Sequence, residues 1–134
     1  MRKLGRKKSN REHMIRNLAT SLILFETIDT TVAKAKDTKI FTEKLISACK
    51  KQEGLNAIRK ANTIFFDKNA AKKVIDELIP RYANRQSGFI TSFKIKNRAG
   101  DNSEMMRLEL MDKKVFVDKK VEKKVTEQAS ERGN

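Results

Sequence analysis

Seven cationic side chains, Arg2, Lys3, Arg6, Lys7, Lys8, Arg11 and Arg16, fall within the first sixteen residues against one carboxylate, Glu12. A second window, residues 81–100, holds Arg81, Arg85, Lys94, Lys96 and Arg98 with no acid at all. The chemistry open to such clusters is contact with a polyanion. Guanidinium and ammonium groups bind phosphate oxygens and release condensed counterions, so affinity falls steeply with salt. The chain carries 31 Lys and Arg against 17 Asp and Glu, a net charge of +14 over 134 residues; six units of the excess come from the first window and five from the second. Charge meant only for solubility would be spread evenly, and excess charge costs self-repulsion. Two segments are therefore built to meet anions.

Other chemistries lack their residues. Gly100-Asp101 is a turn signal, not a phosphate-cradling glycine loop. Asp76 and Glu77 are neighbours on a helix and point to different sides, so they make no acid–base pair. Ser9 serves better as a helix cap than as a nucleophile. The single histidine, His13, borders an apolar stripe, and the single cysteine, Cys49, reads as a small buried hydrophobe. One cysteine and one histidine give no internal disulfide and no Cys/His metal cluster, and they suit a reducing cytoplasm. No enzyme activity, metal, cofactor or small-molecule substrate is expected. No membrane is expected either, since no apolar run approaches the ~18–20 residues of a span. The N-terminal cations lead into an amphipathic helix and not into the apolar core of a secretory signal. With no Trp and one Tyr, and the Phe residues mostly in core patterns, base stacking is disfavoured. Recognition of shape and phosphate in a folded RNA fits better.

These cations need a scaffold, and the apolar periodicity supplies one. Ser9-Asn10-Arg11-Glu12 has the form of a capping box, followed by Met14, Ile15, Leu18, Ala19, Leu22 and Ile23 on one helical stripe to about Phe25. Arg11, Arg16 and Asn17 lie mainly off that stripe. Residues Thr27–Thr31 are β-branched and suit a short strand. A second helix, capped by Thr30 or Thr31, runs from Val32 to Lys51 with Phe41, Leu45, Ala48 and Cys49 as its core side, flanked by Ile40 and Ile46. A third places Leu55, Ile58, Asn62 and Phe65 on one face. A fourth carries Ala70, Ala71, Val74, Ile75, Leu78 and Ile79 and is ended by Pro80.

Beyond a polar connector, residues 81–88, the period changes from helical to two. Phe89, Thr91, Phe93 and Ile95 alternate with Ile90, Ser92, Lys94 and Lys96, and Met106, Leu108 and Leu110 alternate with Met105, Arg107 and Glu109. An antiparallel hairpin with a cationic outer face is expected, its long polar loop being residues 97–104. A lone hairpin is marginal, so Thr27–Thr31 must be its third strand. The expected organisation is a basic arm (1–8), one α+β domain of about four helices on a small, mainly antiparallel three-stranded sheet (9–111), and a charged tail (112–134), partly helical or disordered.

Several motifs at fixed separations then resemble a known family. They are Arg2-Lys3-Leu4-Gly5-Arg6, Arg11, Arg16-Asn17-Leu18-Ala19-Thr20-Ser21-Leu22 and Thr30-Thr31-Val32-Ala33-Lys34-Ala35-Lys36. Pro80-Arg81-Tyr82-Ala83-Asn84-Arg85, Gly88-Phe89, Arg98-Ala99-Gly100-Asp101 and Met105 follow in order. Together they closely resemble the bacterial large-subunit ribosomal protein numbered seventeen, over residues 1–111. The resemblance implies a structural constituent of the large ribosomal subunit, bound to 23S-type rRNA near the peptide exit tunnel among neighbouring ribosomal proteins. By position it implies RNA-facing roles for Arg2, Lys3, Gly5, Arg6, Arg11, Arg16 and Asn17, and for Arg81, Arg85 and Arg98. Lys7, Lys8, Lys94 and Lys96 join them on charge and placement. Two positions depart from the family pattern, Asn10 where a histidine is usual and Thr91 where an arginine is usual. The alternative on charge alone is a sequence-nonspecific, nucleoid-type DNA-binding protein.

Overall fold

A computed structural model of the chain describes residues 2–52 and 54–112; the expected tail beyond Asp112 lies outside the described residues. The first helix, α1 (Lys8–Phe25), buries Ile15, Ala19, Leu22 and Ile23 completely and half-buries Met14 and Leu18, as its stripe requires. Full burial of Ile15, Leu22 and Ile23 contributes about 1.5–3 kcal/mol each. The expected capping box does not form. Lys7 is the cap residue, its carbonyl accepts from the amide of Arg11 at 3.0 Å, and no side chain caps the helix. Ser9 is thus already helical, and its hydroxyl cannot serve as the cap.

The sheet has the expected third strand. β1 (Thr27–Thr31) and β2 (Ile90–Lys94) flank the central β3 (Met105–Leu110), and both pairings are antiparallel. Register places Ile90 opposite Leu110 and Ser92 opposite Leu108, so Ile90 and Ser92 share the core side with Met106, Leu108 and Leu110. Phe93 and Thr91 fall on the other face, opposite Arg107 and Glu109, reversing the side expected for Phe93. That outer face is not cationic. It carries Asp29, Arg107 and Glu109, and Arg107 grips Asp29 across the strands through bonds of 2.6 and 2.7 Å.

α2 (Val32–Lys50) buries Leu45 and Cys49 of its expected core side and packs Phe41 against the core, but two threonines take core places that its larger residues do not. Ala35, Thr38, Thr42, Leu45, Ile46 and Cys49 are buried, whereas Phe41 and Ala48 are half-buried and Ile40 is exposed. A threonine can be buried because its hydroxyl bonds the preceding turn, and Thr42 donates to the carbonyl of Thr38 at 2.9 Å. Thr31 is the cap residue by position but makes no side-chain cap bond.

α3 (Leu55–Ile64) likewise buries Ala57 and Ala61, with Phe65 behind them, and leaves Leu55, Ile58 and Asn62 exposed. Small residues allow the helix to lie close to its neighbours, which the expected Leu55–Ile58–Asn62 face could not do.

The fourth helical body is α4 (Lys68–Lys73), a π-helical turn (Val74–Leu78) and α5 (Ile79–Arg81). Pro80 does not end it. The wider turn ahead, in which the Ile79 amide reaches the carbonyl of Val74, carries the chain past a residue that lacks an N–H and crowds the previous turn. Tyr82 follows. Expected in a polar connector, it is among the largest fully buried side chains, its ring 5.0 Å from that of Phe89 and its hydroxyl donating to the Met111 carbonyl at 2.6 Å.

Candidate nucleic-acid interface

The arm preceding α1 is not loose. The backbone amide of Arg2 donates to the Asp37 carboxylate of α2 at 3.0 Å. Leu4 and Gly5 both have positive φ (53° and 62°), and the Arg6 amide closes the turn on the Lys3 carbonyl at 3.2 Å. Gly5 suits that conformation without cost, whereas Leu4 adopts it against its side chain. The guanidinium of Arg6 bonds the Leu4 carbonyl at 3.1 Å, and that of Arg11 the Arg6 carbonyl at 3.4 Å. One carboxylate and one tight turn thus order the arm against α2. The side chains of Arg2, Lys3, Arg6, Lys7 and Lys8 remain exposed. Lys3, Lys7 and Lys8 have no ion pair among the described residues. Arg16 is half-buried and Asn17 exposed on the same helix.

The second window divides between two ends of the molecule. The hairpin loop is tied to the start of α2, where the Val32 amide donates to the Glu104 carbonyl at 3.2 Å. Val32 and Asp37 are five residues apart, about 7.5 Å of helical rise. The loop and the arm therefore share one end. Lys94, Lys96 and Arg98 are exposed there; Lys94 faces Glu104 at 3.6 Å, and Arg98 is braced by Asp101, with Nε–Oδ1 at 3.1 Å. Bonds from Arg98 and then from Ser103 hold the Asp101 carboxyl well below the usual carboxylate range. Gly100 and Asn102, with φ of 101° and 51°, complete the loop.

Arg81 and Arg85 lie at the other end. Glu26 follows α1 in the left-handed region, and its backbone carbonyl accepts from the Leu110 amide at 2.9 Å, at the far end of β3. Its carboxylate is buried and receives Arg81 at 3.1 and 3.2 Å and Lys73 at 3.0 Å. Burial pushes the Glu26 carboxyl up, but the bonds from Arg81 and Lys73 outweigh it and hold the group below its ordinary value. Arg85 bonds the Gly88 carbonyl at 3.2 Å and Asp112 at 3.4 Å. Lys50 gathers the carbonyls of Tyr82, Ala83 and Arg85 at 2.8–2.9 Å, ending the last helical turn. The 18 residues of α1, about 27 Å long, separate this brace from the arm. Glu26, Lys50 and Lys73 carried no signal in sequence, because their partners lie 32 to 55 residues away or in backbone carbonyls.

Among the described residues, no group of His, Cys, Asp and Glu is placed to hold a metal ion, and no helix is long and apolar enough to cross a membrane. Fold and cations together define a small basic α+β structural domain. Residues 14–111 match the sequence pattern of the ribosomal protein L17 family. The chain is 43% identical over 110 residues to large ribosomal subunit protein bL17 of Desulfitobacterium hafniense, covering 82% of this chain and 97% of that one. It is 38% identical over 130 residues to bL17 of Amoebophilus asiaticus (97% and 66%), and 42% identical over 113 residues to bL17m of Schizosaccharomyces pombe (83% and 55%). The chain belongs to the ribosomal protein L17 family. It is a structural constituent of the large ribosomal subunit and not an enzyme, and in bacteria that subunit resides in the cytoplasm.

Proposed function

We propose that the protein supports translation by binding and stabilising folded 23S-type rRNA through the cationic end of its domain, near the peptide exit tunnel and against neighbouring large-subunit proteins. The observation that carries this reading is the pair of anchors on α2. Arg2 at Asp37 and Glu104 at Val32 bring the arm and the hairpin loop to one end. The contact set is Arg2, Lys3, Arg6, Lys7, Lys8, Arg11, Lys94, Lys96 and Arg98, with Gly5 admitting a backbone close and Arg16 and Asn17 extending the surface along α1. Arg81 and Arg85 brace the opposite end through Glu26 and Asp112.

The start of α1 favours the same reading. Its first turn has no acid and no side-chain cap, and cations occupy its cap and first position. That arrangement opposes the helix dipole in isolation and becomes favourable once a phosphate lies against the free amides. Binding of the full chain to large-subunit rRNA and to random duplex DNA at equal salt tests the proposal. Preference for rRNA is expected; equal affinity, with co-sedimentation in the nucleoid fraction, would favour the DNA-coating alternative.

A further inference from the structure

Phe66 is the exposed aromatic residue with an aromatic and a cation already arranged around it. Its ring lies parallel to that of His13, with centroids 5.2 Å apart and 1° between planes, and the guanidinium carbon of Arg16 is 5.9 Å from its centre. His13 and Arg16 are three residues apart on α1, hence neighbours on one helix face. Phe66 nonetheless keeps 52% of its surface in water. Among the described residues, the other exposed phenylalanines, Phe25 and Phe93, have no ring or cation contact of this kind.

The ring is held outward by its neighbours in sequence. Phe65 is buried, its amide bonded to the Ala61 carbonyl at 2.9 Å, and Asp67 caps α4 by accepting from the Asn69 amide at 2.8 Å. With the backbone fixed on both sides, Phe66 cannot easily turn inward. A rigid, half-wet π surface beside a guanidinium is poorly matched to an aliphatic protein groove. It is well matched to a flat base whose phosphate meets a cation.

We infer that Phe66, with His13 and Arg16, is a platform on which one unpaired nucleobase of the rRNA stacks. This rests on the rRNA-binding reading above and refines it: the arm and loop take phosphates, and the platform takes a base. Every base has a π face, so the site discriminates little among the four and selects instead for a base free of pairing. The sequence alone argued against stacking because the phenylalanines fell in core patterns; Phe66 is outside them.

The test uses the full chain. It contains no tryptophan, so Phe66→Trp introduces a single indole. Adding large-subunit rRNA is expected to quench its emission. Phe66→Leu, which keeps apolar bulk without a π face, is expected to bind that rRNA about ten-fold more weakly, the size of one stacked base, with an unchanged salt slope; Phe66→Tyr retains native affinity. Unquenched emission, or native affinity in Phe66→Leu, overturns the platform, and if tight salt-dependent binding persists the rRNA reading survives. Failure of the native protein to bind the rRNA overturns both.

Discussion

The carboxylate of Glu26 and the guanidinium of Arg81, 55 residues apart in sequence, meet through two hydrogen bonds of 3.1 and 3.2 Å. The side chains are only 7% and 11% exposed, and Lys73 joins them at 3.0 Å while also donating to the Leu24 carbonyl at 2.9 Å. The cluster ties the end of α1 to the fourth helical body, and the Glu26 backbone ties both to β3. Removing Glu26 leaves two largely buried cations with only the Leu24 carbonyl for Lys73 and Glu77, at 3.7 Å, for Arg81. Glu26→Ala is expected to destabilise the domain by about 3 kcal/mol, read as a fall in the urea midpoint at constant slope.

The same carboxyl imposes a pH dependence. Its folded-state value lies below the ordinary 4.5, so the unfolded chain takes up the proton first. The stabilisation is present above about pH 4.5 and is lost as pH falls through the depressed folded value. Asp29 and Asp101, held low by Arg107 and Arg98, act in the same direction from more exposed positions. Urea midpoints taken from neutral pH down to pH 3 should fall, and Glu26→Gln should flatten part of that fall. An equal slope in the variant would show that Glu26 contributes none of it.

Tyr82 provides a second brace. Tyr82→Phe removes the bond to the Met111 carbonyl and should cost about 1 kcal/mol, whereas Tyr82→Ala also opens a cavity beside Phe89 and should cost about 3–5 kcal/mol. Thermal unfolding of the two variants separates hydroxyl from ring.

Cys49 is fully buried, and burial pushes its thiol above its ordinary value, although Lys60 pulls the other way. A thiol reagent at pH 8 should react only as the domain opens, so its rate should rise with sub-denaturing urea. Fast, urea-independent labelling would place the thiol at the surface.

The sequence made the strands and their pairing legible because Thr27–Thr31 was the one available partner for the hairpin; the core side of β2 was not legible, since apolar Phe93 and Ile90 fall on opposite faces. Helix faces were less legible where size misled. α2 buries Thr42, whose hydroxyl bonds its own backbone, and Thr38 beside it, and α3 buries alanines, while Ile40, Leu55 and Ile58 stay outside. Of the candidate site, the two cationic windows were readable from charge alone. Their division was not, because it depends on Glu26 and Asp37, two carboxylates that look like ordinary surface acids until the fold brings Arg81 and Arg2 to them. Phe66 escaped notice for a related reason, being adjacent to a true core residue, Phe65.

The central claim, that the arm and the hairpin-loop end grip rRNA through phosphates, is tested most directly by salt. Binding of the full chain to large-subunit rRNA should be measured across a salt series beside a variant with Lys3, Arg6, Lys7 and Lys8 changed to Gln. If those four cations meet phosphates, the slope of log affinity against log salt becomes shallower by about 0.7–0.9 for each phosphate no longer neutralised, and circular dichroism shows the fold intact. A variant that stays folded and binds with the native slope would contradict the claim.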